Sequence, residues 1–255
     1  MDLTVLGCHG GETPKHRTSS FLINGVLALD AGALTSQLSL REQAQIQSVL
    51  VSHAHMDHIR DLATLADNRC QQGGPTLEIV GTAETLMHLR AHFFNDLLWP
   101  DFSQIQTDLG PTIQYREVAS EVEVEVCGLR VKPVPVSHTI DSSGFVLSSR
   151  EGSLAYSGDT GPTERFWEVL NETENLSGLI MEVSFPNEQS KLARASGHHT
   201  TESLKADLAK LKASEELPIF LFHIKPVFQA TVERELARMH HRNLQILELG
   251  DEFVF

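Results

Sequence analysis

Cysteine is scarce in this 255-residue chain, with three in all. Cys8, Cys70 and Cys127 are odd in number and far apart. They make no CxxC pair, which excludes a disulfide framework and points to a reducing compartment. Basic runs are also missing. Lys plus Arg number 20 against 34 Asp plus Glu, a formal net charge of −14. Such a chain repels nucleic acid and anionic membranes wherever no local basic patch forms. An anionic substrate would have to be held locally, for instance by metal ions. No apolar run approaches the length of a membrane span. The opening Leu3-Thr4-Val5-Leu6 reads as a strand and lacks the basic region and apolar run of a signal peptide. The expectation is a cytoplasmic protein with no membrane partner. Repeats, low-complexity segments and linkers are absent too, so residues 1–255 read as one domain. A hydrophobic content of 41% is enough for one substantial core.

Short strands dominate the pattern. Ser20–Ile23 and Val26–Asp30 flank Asn24-Gly25, a hairpin signal because both turn residues tolerate positive φ. Ser36–Gln47 reads as helix, Val49–Val51 as a short strand, and residues 59–68 as a helix leaving it. Leu77–Val80 reads as strand. Thr82–Leu98 reads as a helix stopped at Trp99-Pro100. Glu121–Val126 alternates with period two, as a half-exposed strand does, and Cys127-Gly128 turns it into Leu129–Val136. Further strands fit Gly144–Ser148, Leu154–Ser157, Leu179–Val183, Pro218–Phe222 and Leu244–Leu249. Leu204, Leu208 and Leu211 share one helical face, with Thr200 or Thr201 as N-cap, and Val232, Leu236 and Met239 share another. Interspersed helices around two strand-rich halves predict an α/β protein with two packed sheets covered by helices.

The strand Val49–Val51 runs straight into His53-Ala54-His55-Met56-Asp57-His58. That segment puts four candidate metal ligands within six residues. An extended chain would point residues 53, 55 and 57 to one side. Imidazole suits zinc and similar metals, and a carboxylate adds negative charge. A polar helix start with incidental histidines is the alternative, but unpaired histidine clusters are costly to bury. Three later residues each follow an apolar strand: His138 after Val134-Pro135-Val136, Asp159 after Leu154–Gly158, and His223 after Ile219–Phe222. Each alone reads as a polar residue at a strand end. Together they read as strand ends converging on one rim, where sites form.

The cluster His53/His55/Asp57/His58 followed in order by His138, Asp159 and His223 resembles the metallo-β-lactamase superfamily. Further stretches resemble its class II 3′,5′-cyclic-nucleotide phosphodiesterases: Gly7-Cys8-His9-Gly10-Gly11, Thr18–Leu22, Leu29-Asp30-Ala31-Gly32, His92–Asn95 with Trp99–Phe102, Ile180–Phe185 with Gly197-His198, and His223-Ile224-Lys225. Met56 and Arg60-Asp61 depart from that pattern at the helix start, which bears on specificity rather than on the ligands. The Glu182 and Gly197-His198 layout is also similar to tRNA 3′-end processing ribonucleases.

The resemblance implies a four-layer αββα sandwich with two central mixed β-sheets. It also implies two divalent metals, zinc first with manganese or iron as alternatives. His53, His55 and His138 would hold one metal, Asp57, His58 and His223 the other, and Asp159 would bridge them. The implied reaction is hydrolysis of a 3′,5′-cyclic nucleotide to the 5′-monophosphate by water activated between the metals. Asp57 would orient the nucleophile, His198 would protonate the leaving oxygen, and Glu182 would orient His198. A homodimer is the implied assembly. Ser142 and Ser143 are candidates for phosphate or sugar contacts. Asn95 and Trp99, in the insert 82–118, are candidates for a lid that stacks the base, with core packing as the alternative for the aromatics. His9, His16, His88, His92, His240 and His241 lack ligand context. The rival functions are a tRNA-processing nuclease, disfavoured by the net charge, a lactonase or thioesterase, and a non-catalytic binding protein.

Overall fold

A computed structural model describes residues 1–212, 216–239 and 243–255. His240 and His241 lie outside the described residues. The first sheet begins with β1 (Asp2–Gly7), β2 (Ser20–Ile23) and β3 (Leu27–Leu29). It continues through β4 (Ser48–Leu50) and β5 (Leu77–Gly81). A two-stranded ribbon, β6 (Gln106–Thr107) with β7 (Gly110–Pro111), precedes β8 (Ile113–Glu117), which forms one edge of this sheet. The second sheet is continuous in sequence: β9 (Val124–Val126), β10 (Leu129–Pro135), β11 (Ser143–Ser148), β12 (Ser153–Tyr156), β13 (Leu176–Glu182), β14 (Ile219–Phe222) and β15 (Leu244–Ile246). The chain then returns, and β16 (Glu252–Val254) closes the edge of the first sheet beside β1.

Both sheets are mixed, and they share one plan. The first runs β16-β1-β2-β3-β4-β5-β8 and the second β9-β10-β11-β12-β13-β14-β15. In each, antiparallel pairings give way to parallel ones midway, between β2–β3 and β3–β4, and between β11–β12 and β12–β13. The parallel strands therefore deliver their carboxyl ends to one edge, the rim where ligands sit in α/β sheets.

Helices cover the outer faces: α1 (Leu40–Gln43), α2 (Met56–Ile59), α3 (Leu62–Gln72) and α4 (Ala83–His88) on the first sheet, and α5 (Arg165–Glu172), α6 (Ser190–Ser196), α7 (Thr201–Leu208) and α8 (Gln229–Ala237) on the side of the second. Three buried clusters mark the interfaces of an αββα sandwich. Between the sheets, Phe21 packs edge-on against Tyr156 and Phe222 with centroids 5.5 Å away in each case. Val49, Leu62, Leu65 and Ile79 fill one outer interface, and Phe166, Trp167, Leu204 and Leu221 the other.

Two hairpin turns match the sequence pattern: Asn24-Gly25 and Cys127-Gly128 each hold two successive positive φ values. Several boundaries are corrected. Only Leu40–Gln43 of Ser36–Gln47 is helical, because Ser39 and Glu42 form a capping box that starts the helix there. The metal-ligand motif is extended only to His55, which is the N-cap of α2, so Asp57 and His58 lie on a helical turn. The helix read over 59–68 is α2 plus α3, broken at Arg60-Asp61, where the Asp61 carboxylate accepts from the Thr35 backbone and hydroxyl at 2.8 Å each. The helix read over Thr82–Leu98 stops earlier: α4 passes into a π-helical turn, Leu89–Phe93. Glu121–Val126 is a strand only over Val124–Val126, since Glu121 has a positive φ of 60° and its carboxylate pairs with Arg165. Thr200 rather than Thr201 caps α7. Sequence patterning missed α5, α6 and the β6–β7 ribbon.

Candidate metal centre

All the candidate ligands and two of their supporting carboxylates lie at strand ends, while His198 lies between α6 and α7. Asp30 follows β3, the His53–His58 motif follows β4, His138 follows β10, Asp159 follows β12, Glu182 ends β13 and His223 follows β14. The loop after β3 crosses directly over α2. Ala31 donates its N–H to the His58 carbonyl at 2.7 Å, and a Cβ on Gly32 would lie 2.0 Å from the Asp57 carbonyl oxygen. Only glycine permits that approach. His223 sits in the left-handed region at φ 70°, and its N–H donates to the Cys8 carbonyl at 2.7 Å.

Donor atoms from these loops converge in two sets. His53, His55 and His138 form one, and Asp57, His58, Asp159 and His223 the other, with ligand atoms within 4.8 Å of one another in each. His55 Nδ1 lies 3.1 Å from Nε2 of both His53 and His138. Asp159 Oδ2 lies 3.1 Å from His58 Nε2, 3.2 Å from His223 Nε2 and 3.8 Å from His53 Nε2, so it touches both sets. Asp57 Oδ2 is 3.3 Å from His223 Nε2. Asp159 and all the histidines but His55 and His138 are buried, and Asp57 faces the open side.

The outer nitrogens show what the inner ones are for. His58 Nδ1 is 2.7 Å from Asp30 Oδ2, and His138 Nδ1 is 2.8 Å from the Gly197 carbonyl. Both partners are pure acceptors, so each Nδ1 carries a proton and, in the neutral ring, each Nε2 presents a lone pair. The Ser52 hydroxyl donates to Asp30 at 2.7 Å and so accepts from His53 Nδ1 at 3.0 Å. The Ser184 hydroxyl donates to Glu182 Oε2 at 3.0 Å and accepts from His223 Nδ1 at 2.9 Å. The result is a cavity into which lone pairs point at lone pairs and at a carboxylate. His58 Nε2 and Asp159 Oδ1 are buried there without a hydrogen-bond partner. Such acceptor crowding is costly unless cations fill it. The donors fit two divalent ions, and N/O sets of this kind suit zinc, manganese or iron.

Electrostatics in the metal-free protein point the same way. Burial holds His53 well below its ordinary range, and lowers His55, His138, His198 and His223 as well. Burial opposes ionisation of Asp159, yet His223 and His58 keep it well below the usual carboxylate range. His58 is the exception. Burial favours its neutral form, but Asp159 and Asp30 outweigh that and hold it well above its ordinary value. A cation binding here would displace that proton.

Beside the donor sets, Glu182, His198 and His223 form a third cluster. His198 stacks on His223 at 5.1 Å and meets His138 edge-on at 5.0 Å. Its Nδ1 is 3.3 Å from the Ser184 hydroxyl and 3.4 Å from Glu182 Oε1. Glu182 also accepts the His199 N–H at 2.8 Å, and burial pushes its carboxyl up to about 7. His199 itself turns away, toward Ser203 and Asp207.

Of the four residues suggested for substrate contact, Asn95 and Trp99 have their side-chain polar atoms committed within and beside the insert, whereas Ser142 and Ser143 lie against Asp159 and Ser52 of the site. Ser142 is buried and donates to the Asp159 carbonyl at 3.3 Å; buried Ser143 donates its N–H to Ser52 at 3.0 Å. Asn95 Oδ1 caps the N–H groups of Leu97 and Leu98, and Trp99 Nε1 donates to the Ala63 carbonyl at 3.2 Å. Sequence reasoning noted Asp30 and Ser184 only inside family-like stretches and gave neither them nor Ser52 and Tyr156 a role in the site. Asp30 accepts from Ser52 twice, from His58 and, at 2.6 Å, from the Tyr156 hydroxyl. Its position directly after an apolar strand was the available signal.

Residues 20–224 match the family model described as the beta-lactamase superfamily domain. With its αββα layers and His/Asp cluster, the chain belongs to the metallo-β-lactamase superfamily, a family of metal-dependent hydrolases. Among its relatives it is similar to a probable 3′,5′-cyclic-nucleotide phosphodiesterase of Yersinia pestis, at 29% identity over 90% of this chain and 79% of the relative. It is also similar to ribonuclease Z of Bacillus velezensis, at 25% identity over 97% of this chain and 95% of that one. The solved structure of unliganded yeast PDE1 has the same fold, with a TM-score of 0.83 at 20% identity over 100% of this chain and 99% of that chain.

Proposed function

We propose that this protein hydrolyses a 3′,5′-cyclic nucleotide to the nucleoside 5′-monophosphate. The observation that carries the reading is the placement of His198 between the two donor sets, backed by Ser184 and Glu182. Thioester hydrolysis gains little from such a proton donor, because a thiolate leaves without needing a proton. The similarity to a cyclic-nucleotide phosphodiesterase supports the same choice.

His53, His55 and His138 would hold one divalent ion, Asp57, His58 and His223 the other, with Asp159 shared. When bound, such ions supply charge neutralisation and an ionised water near neutral pH. The protein does the rest. Asp57, on the open side of its set, orients the attacking water. His198 directs Nδ1 toward Ser184 and Glu182, which leaves Nε2 free to protonate the departing 3′ oxygen. Burial holds His198 below its ordinary range while Asp159 pulls it upward.

Chromatography of the metal-loaded protein with cyclic AMP and cyclic GMP tests this. Release of 5′-monophosphate, abolished by a chelator and by Asp57→Ala, is the expected result. No turnover with metals present by mass spectrometry would overturn it. A second reading, a tRNA-processing nuclease, draws on the similarity to ribonuclease Z. The net charge of −14 weighs against it. Cleavage of a tRNA precursor in place of cyclic nucleotides would reverse the order.

A further inference from the structure

An apolar cavity of about 230 Å³ lies beside the donor sets, between the motif loop and the 82–118 insert. Ala54, Met56 and Ile59 form one wall, and His88, His92, Phe93 and Leu98 the facing one, with Ile140 completing the lining. Ala54 and Met56 alternate with the candidate ligands His53, His55 and Asp57, and Ile140 lies two residues past His138. Successive Cα atoms are ~3.8 Å apart, so the backbone that forms this wall is the same backbone that carries the candidate ligands. The lining carries no ionised carboxylate and no Lys or Arg; its polar side chains are the two histidines.

Three features preform this cavity. The insert is pinned to the loop after β10 by a hydrogen bond from the Thr82 hydroxyl to Asp141. The Asn95-capped turn that carries Leu98 is anchored to α3 through Trp99 Nε1. The π-helical turn Leu89–Phe93 buries Phe93 and leaves His92 stacked on His88 at 5.9 Å and 25°. π turns are rare and concentrate at functional sites. Met56 and Leu98 remain 52% and 56% exposed at the mouth, an apolar rim beside a highly polar centre.

We infer that this cavity seats the flat aromatic base of the substrate while the donor sets hold its phosphodiester. The assignment rests on the cyclic-nucleotide reading. An apolar cavity of about 150 Å³ admits benzene, so this one has room for a fused ring system. Recognition would come from stacking and apolar burial. A lining of hydrocarbon and imidazole provides little to tell adenine from guanine, so both cyclic nucleotides should be accepted. Asn95 and Trp99 would then act by holding the wall in place rather than by touching the base.

The test compares inhibition by AMP and by ribose 5-phosphate, which differ only in the base, using metal-loaded protein turning over cyclic AMP. In the wild type, AMP should bind about tenfold or more tighter than ribose 5-phosphate. Ala54→Leu, which fills the cavity, should shrink that ratio to about threefold or less. Leu98→Asp, at an exposed position that folding tolerates, should shrink it as well and keeps the test valid if Ala54→Leu fails to fold. An undiminished ratio in folded variants that still hydrolyse cyclic AMP would overturn the cavity assignment and leave the proposed activity standing. Absence of cyclic-nucleotide turnover by the wild type would overturn both.

Discussion

Asp30 carries more of the site than any residue that sequence patterning singled out. One buried carboxylate receives Ser52, His58 and Tyr156, and through them orients two candidate ligands. Replacing it with Ala removes the acceptor that fixes the His58 tautomer. Metal affinity should fall ~10–100-fold. A metal titration followed by competition with a chromophoric chelator measures this, and unchanged affinity would remove Asp30 from that role. His198→Ala should behave oppositely. It should retain both metals while kcat drops ~10²–10⁴-fold on an unactivated diester. Loss of metal in that variant would make His198 a ligand instead of a donor. The contrast also shows what was readable beforehand. The His53–His58 spacing stands out because four ligand types fall in one short segment. Asp30 is a lone carboxylate after a strand, and its partners are brought to it only by the tertiary fold, from as far away as Tyr156.

At the level of elements, most strands of the two sheets were readable because they alternate or run apolar over short stretches, whereas the two-residue strands of the β6–β7 ribbon and the three-residue β16 were too short to show a pattern. Helix ends were not. The π turn in the insert keeps the apolar spacing of a helix while changing its hydrogen bonding, so Thr82–Leu98 looked continuous. The Ser39 capping box set the start of α1 against a longer helical pattern. α6 is short, with only Ala193 buried, and offered no periodic stripe. Its end nevertheless matters. Gly197, at φ 66°, terminates α6 and presents its carbonyl to His138. A Cβ there would lie 2.9 Å from His138 Nδ1. Gly197→Ala should therefore cost ~1–2 kcal/mol from backbone strain alone. It should also loosen the His53/His55/His138 set. Urea midpoints together with metal stoichiometry would report both effects. A fully stable variant holding both metals would show that the α6 terminus yields without disturbing His138.

Over the whole molecule, the site draws histidines from both sheets into one buried rim, and that fixes how stability responds to pH. Without metal, burial lowers His53, His55, His138, His198, His199 and His223, and it lowers His9, which is not a candidate ligand, to about 4. For these groups the unfolded chain takes up protons at about pH 6.5, before the folded one does. Stability must then fall as pH drops through that region. His58 has the opposite sign. Its raised proton affinity stabilises the fold below its unfolded value and is lost only as pH rises through its folded one. Asp57 and Asp159 are depressed, so their contribution is lost only below the carboxylate range. Between about pH 7.5 and 5.5 the lowered histidines outnumber the two groups of opposite sign, His58 and Glu182, whose carboxyl is held up at about 7, so chelated protein should melt at a lower temperature at the acid end. His9→Gln should narrow that gap, because it removes one buried proton acceptor that is not a candidate ligand. Added zinc should raise the melting temperature at about pH 7.5 and raise it less at 5.5, since imidazole must be unprotonated to bind. A chelated protein equally stable at both values would mean that these histidines titrate freely in the fold, which their burial opposes.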